Sequence, residues 1–204
     1  ALYTNTGDHN TAVGYYALNL NTTGHSNVAT GSNALLNNTT GYRNTAVGFE
    51  ALKSNSTGYQ NTATGTWALN ANSTGIRNTA HGYQALNTNS TGNYNTATGY
   101  HALSTNSTGL GHTATGYQAL LDNTTGDYNA AFGRNALYNN TIGSFNTACG
   151  NHALDSNTIG SFNIALGYNS DSSSATVSGQ CTLGSSNISN LRCNDTTISS
   201  LSDQ

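Results

Sequence analysis

The chain has 204 residues, of which 6% are charged and 35% hydrophobic, with 23 Gly, no Pro, no Met and a formal net charge of −3. About 25% charged residues is usual for a soluble domain, and large apolar side chains are scarce, so the composition argues against an ordinary globular core. Five Lys plus Arg give no basic surface for phosphates, so nucleic acid is not an expected partner. No apolar run approaches the ~18 residues of a membrane span, so membrane insertion is not expected. No charged segment leading into an apolar stretch marks a signal peptide. A chain that begins at Ala1 is expected to be a processed or excised piece.

Low charge is also compatible with disorder, but the sequence pattern rules against it. Ala recurs at 12, 29, 46, 63, 80, 97, 114, 131, 148 and 165, a fixed step of 17, and Gly follows two residues later each time. A second Gly column runs from Gly7 through Gly75 to Gly160, and an Ala-Leu pair recurs from Ala17-Leu18 to Ala153-Leu154. The consensus N-T-A-x-G-x-x-A-L-x-x-N-x-T-G-x-x covers about 160 residues, and the ten Ala-x-Gly copies keep phase without insertion or deletion. A helical repeat needs roughly 33 residues for two helices and their turns, and two Gly columns per unit would break helices. One coil of a parallel β-solenoid fits. Each coil is predicted to carry two short strands, one on Thr45-Ala46-Val47 and its equivalents, the other on Ala51-Leu52 and its equivalents. In the first strand Ala46 and Gly48 face one way and Thr45 and Val47 the other.

Stacked coils place like residues about 4.8 Å apart, so side-chain amides can hydrogen-bond along the axis. Two Asn columns offer such ladders. One is Asn21, Asn38, Asn55, Asn72, Asn89, Asn106, Asn123, Asn140 and Asn157. The other runs from Asn10 to Asn163 and is interrupted by His112. Ten coils would make a rod about 45–50 Å long. Two Ala and one Leu per coil bury little area against the entropy of ordering the coil. A homo-oligomer is therefore expected, with the column Leu18, Leu35, Leu52, Leu69, Leu86, Leu103, Leu120, Leu137 and Leu154 at the subunit contact. In the alternative, Leu fills the inside of each coil.

Segments such as Asn10-Thr11-Ala12-Val13-Gly14 and Asn44-Thr45-Ala46-Val47-Gly48 resemble the head repeats of trimeric autotransporter adhesins. The 17-residue style also resembles repeat regions of tail-fibre-like proteins of phages and large viruses. The adhesin resemblance implies a left-handed β-roll assembled as a homotrimer, and it covers about residues 5–170; the adhesin repeat is usually nearer 14 residues. The first domain is thus residues 1–169, an all-β solenoid of about ten coils. Residues 170–204 form a Ser/Thr-rich cap or neck, expected to be short and irregular. The end, Thr197 to Gln204, is similar to the segment preceding the intramolecular chaperone of endosialidase-type tail spikes. That resemblance implies processing near Ser202-Asp203, where the family's chaperone cleaves itself off.

The eight acids form no repeated pair suited to general acid and base work, and the six His lack metal-ligand spacing. No Gly-x-Ser-x-Gly elbow occurs, and no Lys and helix follow the Gly runs to make a phosphate loop. Neither enzymatic activity nor a metal or cofactor is expected. Cys149 is expected to be a buried or half-buried thiol, whereas Cys181 and Cys193 lie in the neck and could bridge. Seven ladder residues, Asn21 through Asn123, read as N-x-T or equivalent sequons; turn chemistry is the preferred account. Tyr15, Phe49, Trp67, Tyr83, Tyr100 and Tyr117 form a candidate aromatic rail, for sugars in one reading and for mutual stacking in the other.

Three functions remain. The first is a fibre or adhesin segment, extracellular, on a cell surface or in a virion, attaching to a cell-surface glycan or other receptor. The second is a purely structural filament or surface-layer component. The third is an ice-binding solenoid, on the strength of the Thr-x-Thr pairs at Thr62, Thr96 and Thr113.

Overall fold

The computed structural model describes residues 2–188 and is a parallel β-solenoid. Its strands are β1 (Thr11–Val13), β2 (Val28–Thr30), β3 (Thr45–Val47), β4 (Thr62–Thr64), β5 (Thr79–His81), β6 (Thr96–Thr98), β7 (Thr113–Thr115), β8 (Ala130–Phe132), β9 (Thr147–Cys149), β10 (Ile164–Leu166) and β11 (Cys181–Leu183). They form one sheet in sequence order, each parallel to the next. The register is the repeat itself: Ala46 lies over Ala63 and Ala63 over Ala80. The middle Ala of the strand points inward and is fully buried from Ala29 to Ala165. The residues on either side point outward, as the alternation of a strand requires.

The predicted second strand is absent among the described residues. The Ala-Leu segment is a turn, and its Leu residues have φ of 50–54°. Left-handed backbone costs an ordinary residue roughly 1–2 kcal/mol. Here it turns the Leu amide along the rod, so that Leu69 N–H donates to Ala85 of the following coil at 3.0 Å. Within the same turn Ala68 donates to Gly65 and Asn72 to Leu69, while Ala71 donates to Asn87 of the following coil. This alternation is tight enough to send the Leu side chain into the coil. Burial of a Leu is worth about 1.5–3 kcal/mol, which offsets the backbone cost.

The whole Leu column, Leu18 to Leu154, is therefore 0% exposed in a single chain. These side chains fill the coil interior and cannot be the stripe that a partner covers. The expectation of a Leu subunit contact is corrected accordingly.

Two further left-handed positions recur. One is the second residue after the strand-ending Gly, as at Glu50 and Trp67; the other is the second residue after the next Gly, as at Arg43 and Arg77. Each donates its N–H to the preceding coil, Trp67 to Phe49 at 2.9 Å and Arg77 to Tyr59 at 3.1 Å.

The coil period continues beyond residue 169. β11 pairs with β10 in the same register, Ile164 with Cys181 and Leu166 with Leu183. Ser170, fully buried, takes the place of Ala, and Asp171 takes the place of Leu and accepts from Ser156 Oγ. The start of the expected irregular neck is thus one more coil, with buried Ser170 and half-buried Asp171 at the Ala and Leu positions.

The strand-ending glycines are constrained by both backbone and space. Gly65 has φ of +133°, and a Cβ there would lie 2.5 Å from the carbonyl oxygen of Gly82. Gly179 has φ of +74° and open space around it. Gly65→Ala is expected to destabilise by well over 2 kcal/mol and Gly179→Ala by about 1 kcal/mol, as read from urea midpoints.

Candidate functional site

Two sets of recurring side chains stand out, one inside the coil and one outside. Inside, the column Asn21 to Asn157 is fully buried and forms a continuous amide ladder. Asn55 Nδ2 donates to Asn38 Oδ1 at 2.8 Å, Asn72 to Asn55 at 2.7 Å and Asn89 to Asn72 at 2.8 Å. The second hydrogen of each Nδ2 closes its own turn, as Asn72 does on the carbonyl of Gly75 at 3.0 Å. Every donor is used, and no Nδ2 reaches solvent. The sequons of Asn21 to Asn123 are therefore consumed by turn chemistry, and the folded coil presents none of them to a glycosylating enzyme.

The second Asn column works differently. Its Oδ1 accepts from the backbone amide of the equivalent residue one coil on, as Asn44 does from Asn61 N–H at 3.0 Å. Its Nδ2 donates across the coil to a Gly carbonyl, as Asn61 does to Gly75 at 2.8 Å. His112 occupies this column with 1% exposure and reproduces the first of these bonds, while its Nε2 lies 3.1 Å from Asn123 Nδ2. Nδ1 accepts from Asn129 N–H at 3.1 Å and so carries no proton, which leaves the ring proton on Nε2, facing the Gly126 carbonyl. Burial drives its pKa down to about 4, against the upward pull of hydrogen bonding to Gly126, the Asp127 charge and the bond to Asn129.

Outside, the aromatic rail is continuous from Phe49 to Tyr117. Trp67 sits one position further round the coil than Phe49 and Tyr83 and meets both edge-on, at 6.0 and 5.5 Å. Tyr83, Tyr100 and Tyr117 stack face to face at 5.3 and 5.2 Å with interplanar angles of 8° and 6°. Arg134 closes the row 5.8 Å over Tyr117. Tyr15 is not in this row; it packs on Tyr16 at 4.0 Å, and Ser32 stands between it and Phe49. Beside the Trp, Glu50 accepts from Trp67 Nε1 at 3.2 Å and pairs with Lys53 at 2.9 Å. Partial burial raises its pKa, but the bond and charge of Lys53, with the Asn33 and Trp67 bonds, more than reverse this and hold the carboxyl below its usual range.

A second corner carries two shorter stacks, His25–Tyr42–Tyr59 and Tyr128–Phe145–Phe162. Beside the latter stack, small polar residues form a third ladder: Asp127 Oδ1 accepts from Leu110 N–H at 2.9 Å, and Ser144 Oγ from Asp127 N–H at 2.9 Å. The 17-residue column Asn93, Leu110, Asp127, Ser144, Ser161 carried that signal in the sequence.

Cys149 and Cys181 are free and exposed on the outward side of β9 and β11. Cys149 is thus neither the buried nor the half-buried thiol expected, because the third strand position faces away from the coil. Cys193 and the Ser202-Asp203 pair lie outside the described residues. Among the described residues no group of three or more His, Cys, Asp or Glu could hold a metal ion, and no helix is long and apolar enough to cross a membrane. Comparison with protein families, with curated proteins and with solved structures finds no match for this chain.

Asn72→Ala would leave Asn55 Oδ1 without its donor, remove one of the two acceptors of Asn89 Nδ2 and take away one of the two donors on the Gly75 carbonyl. It is expected to cost about 2–4 kcal/mol, measurable by denaturant unfolding. For His112, an unfolded-state imidazole titrates near 6.5, so as pH falls the unfolded chain takes up the proton first. The stability held above pH 6.5 is lost between 6.5 and about 4 and changes no further below, about 3 kcal/mol in all. His112→Asn should remove that decline from a pH series of unfolding midpoints.

Proposed function

We propose that this chain is a stiff, non-enzymatic segment of an extracellular or virion fibre, assembled as a homo-oligomer, that spaces and presents attachment surfaces. The observation that carries the reading is the unbroken stack of like coils whose interior is filled by their own Ala, Leu and Asn side chains. Such a stack leaves no cleft in which to gather reacting groups, and nearly all its variation lies on the outside. The resemblance of the repeats to trimeric adhesin heads and tail-fibre-like proteins supports a trimer and a left-handed coil.

The stacked rings narrow the way attachment can work. Faces of Tyr83, Tyr100 and Tyr117 cover one another, so a sugar would meet their edges and hydroxyls. Native light scattering should give three times the 21.1 kDa chain mass; a single chain's mass would overturn the assembly. Screened on a panel of cell-surface glycans, the chain should bind at least one, and Tyr83→Ser with Tyr100→Ser and Tyr117→Ser should abolish that binding without changing the mass.

A second reading is favoured by one feature, the paired outward threonines of β4, β6 and β7, which form Thr rows along one sheet face. Regular hydroxyl and methyl rows suit an ice surface. Thermal hysteresis in dilute solution would carry that reading, and its absence would remove it.

A further inference from the structure

The outward side of the sheet changes character along the rod. No Asp, Glu, Lys or Arg occupies an outward strand position from β1 to β11. From β1 to β7 these positions are mostly Thr, with His81 and three Val. From β8 onward they are Ala130, Phe132, Thr147, Cys149, Ile164, Leu166, Cys181 and Leu183. Phe132, Ile164, Leu166 and Leu183 are 42–49% exposed. Phe145 and Phe162, two residues before β9 and β10, adjoin them and are 49% and 62% exposed. Their equivalents are polar up to Arg77, as at Ser26, Arg43 and Gln60, and the column turns aromatic at Tyr94 and from Tyr128 onward.

We infer that this C-terminal third of the strand face is where copies of the chain meet. The inference rests on the oligomer proposed above and names its contact. The six side chains expose on the order of 500 Å² of apolar surface. A standard interface takes about 800 Å² from each partner, of which about 56–65% is apolar, so the patch supplies what one contact needs. A patch of this size matches the largest on a typical monomer, about 300–600 Å², which is often functional. The spacing selects the occupant. Outward side chains repeat once per coil, and a second copy presents the same rows at the same pitch, so ridges and grooves stay matched along the contact. A foreign surface lacks that period. The Leu column, buried in the single chain, no longer competes for the role.

The test uses the whole chain with two readouts. Light scattering gives the mass. Alkylation of Cys149, located by peptide mapping, gives the cover of the face, since Cys149 pairs in register with Phe132 on one side and Leu166 on the other. In the unaltered chain Cys149 should alkylate slowly at high protein concentration and at least tenfold faster on dilution below the association range. Leu166→Glu should reduce the mass to one chain and make Cys149 react fast at every concentration. Thr64→Glu, on the Thr part of the face, should leave both readouts unchanged, with circular dichroism checking that each variant is folded. A single-chain mass for the unaltered protein would overturn this inference and the oligomer alike. An oligomer in which Cys149 reacts fast at all concentrations, or which survives Leu166→Glu, would overturn the contact alone.

Discussion

The constraint on which the molecule depends is that every buried ladder amide must find a partner one coil away as well as within its own turn. A buried amide without a partner costs about 1–3 kcal/mol, and this interior holds two columns of them. The cost is avoided only if successive coils have the same length and place Asn on Asn. The ladder from Asn21 to Asn157 therefore enforces the repeat as much as it results from it. An inserted residue between Asn72 and Asn89 would orphan two amides and shift Leu86 out of its slot at once.

The left-handed positions follow from the same demand. A backbone amide that must point along the rod has few ways to do so in a coil of 17 residues. Positive φ at Leu, and at the second residue after each Gly, is the way used here. The side chain then matters less than usual. Trp67, Glu50, Arg77 and Phe145 all occupy such backbone, and none is a residue type that favours it. Each contributes instead by stacking or pairing along the axis, as in the edge contact of Trp67 and the ion pair of Glu50. The outside of the rod is thus free to vary in chemistry while the backbone stays fixed.

This explains what could be read from the sequence and what could not. The parallel stack, its register and the amide ladder were legible because each depends on which residue lies 17 positions away. The inward Ala and outward Thr of the first strand were legible from strand alternation, and the same rule places Cys149 outside. The second strand was not legible. Ala-Leu carries no mark of left-handed backbone, and a buried Leu looks the same in a strand as in a turn. From the sequence alone the Leu column therefore reads as a partner contact, although the coil itself encloses it. The extra coil after residue 169 was hidden because Ser170 and Asp171 replace the Ala and Leu that announce the others. The aromatic columns were visible, but face-to-face stacking depends on side-chain tilt, which spacing does not specify.

That polar coil, the last among the described residues, bears on how the rod comes apart. Contacts run only between neighbouring coils, so stability is close to a sum of nearest-neighbour terms and unfolding proceeds as a zipper. The winding between β10 and β11 contributes Ser170 and Asp171 where every other contributes Ala and Leu, and it lacks the ladder Asn. It is the weakest link in a linear chain of couplings. Under heat or axial tension the fraying front would enter there and advance toward β1, one layer at a time.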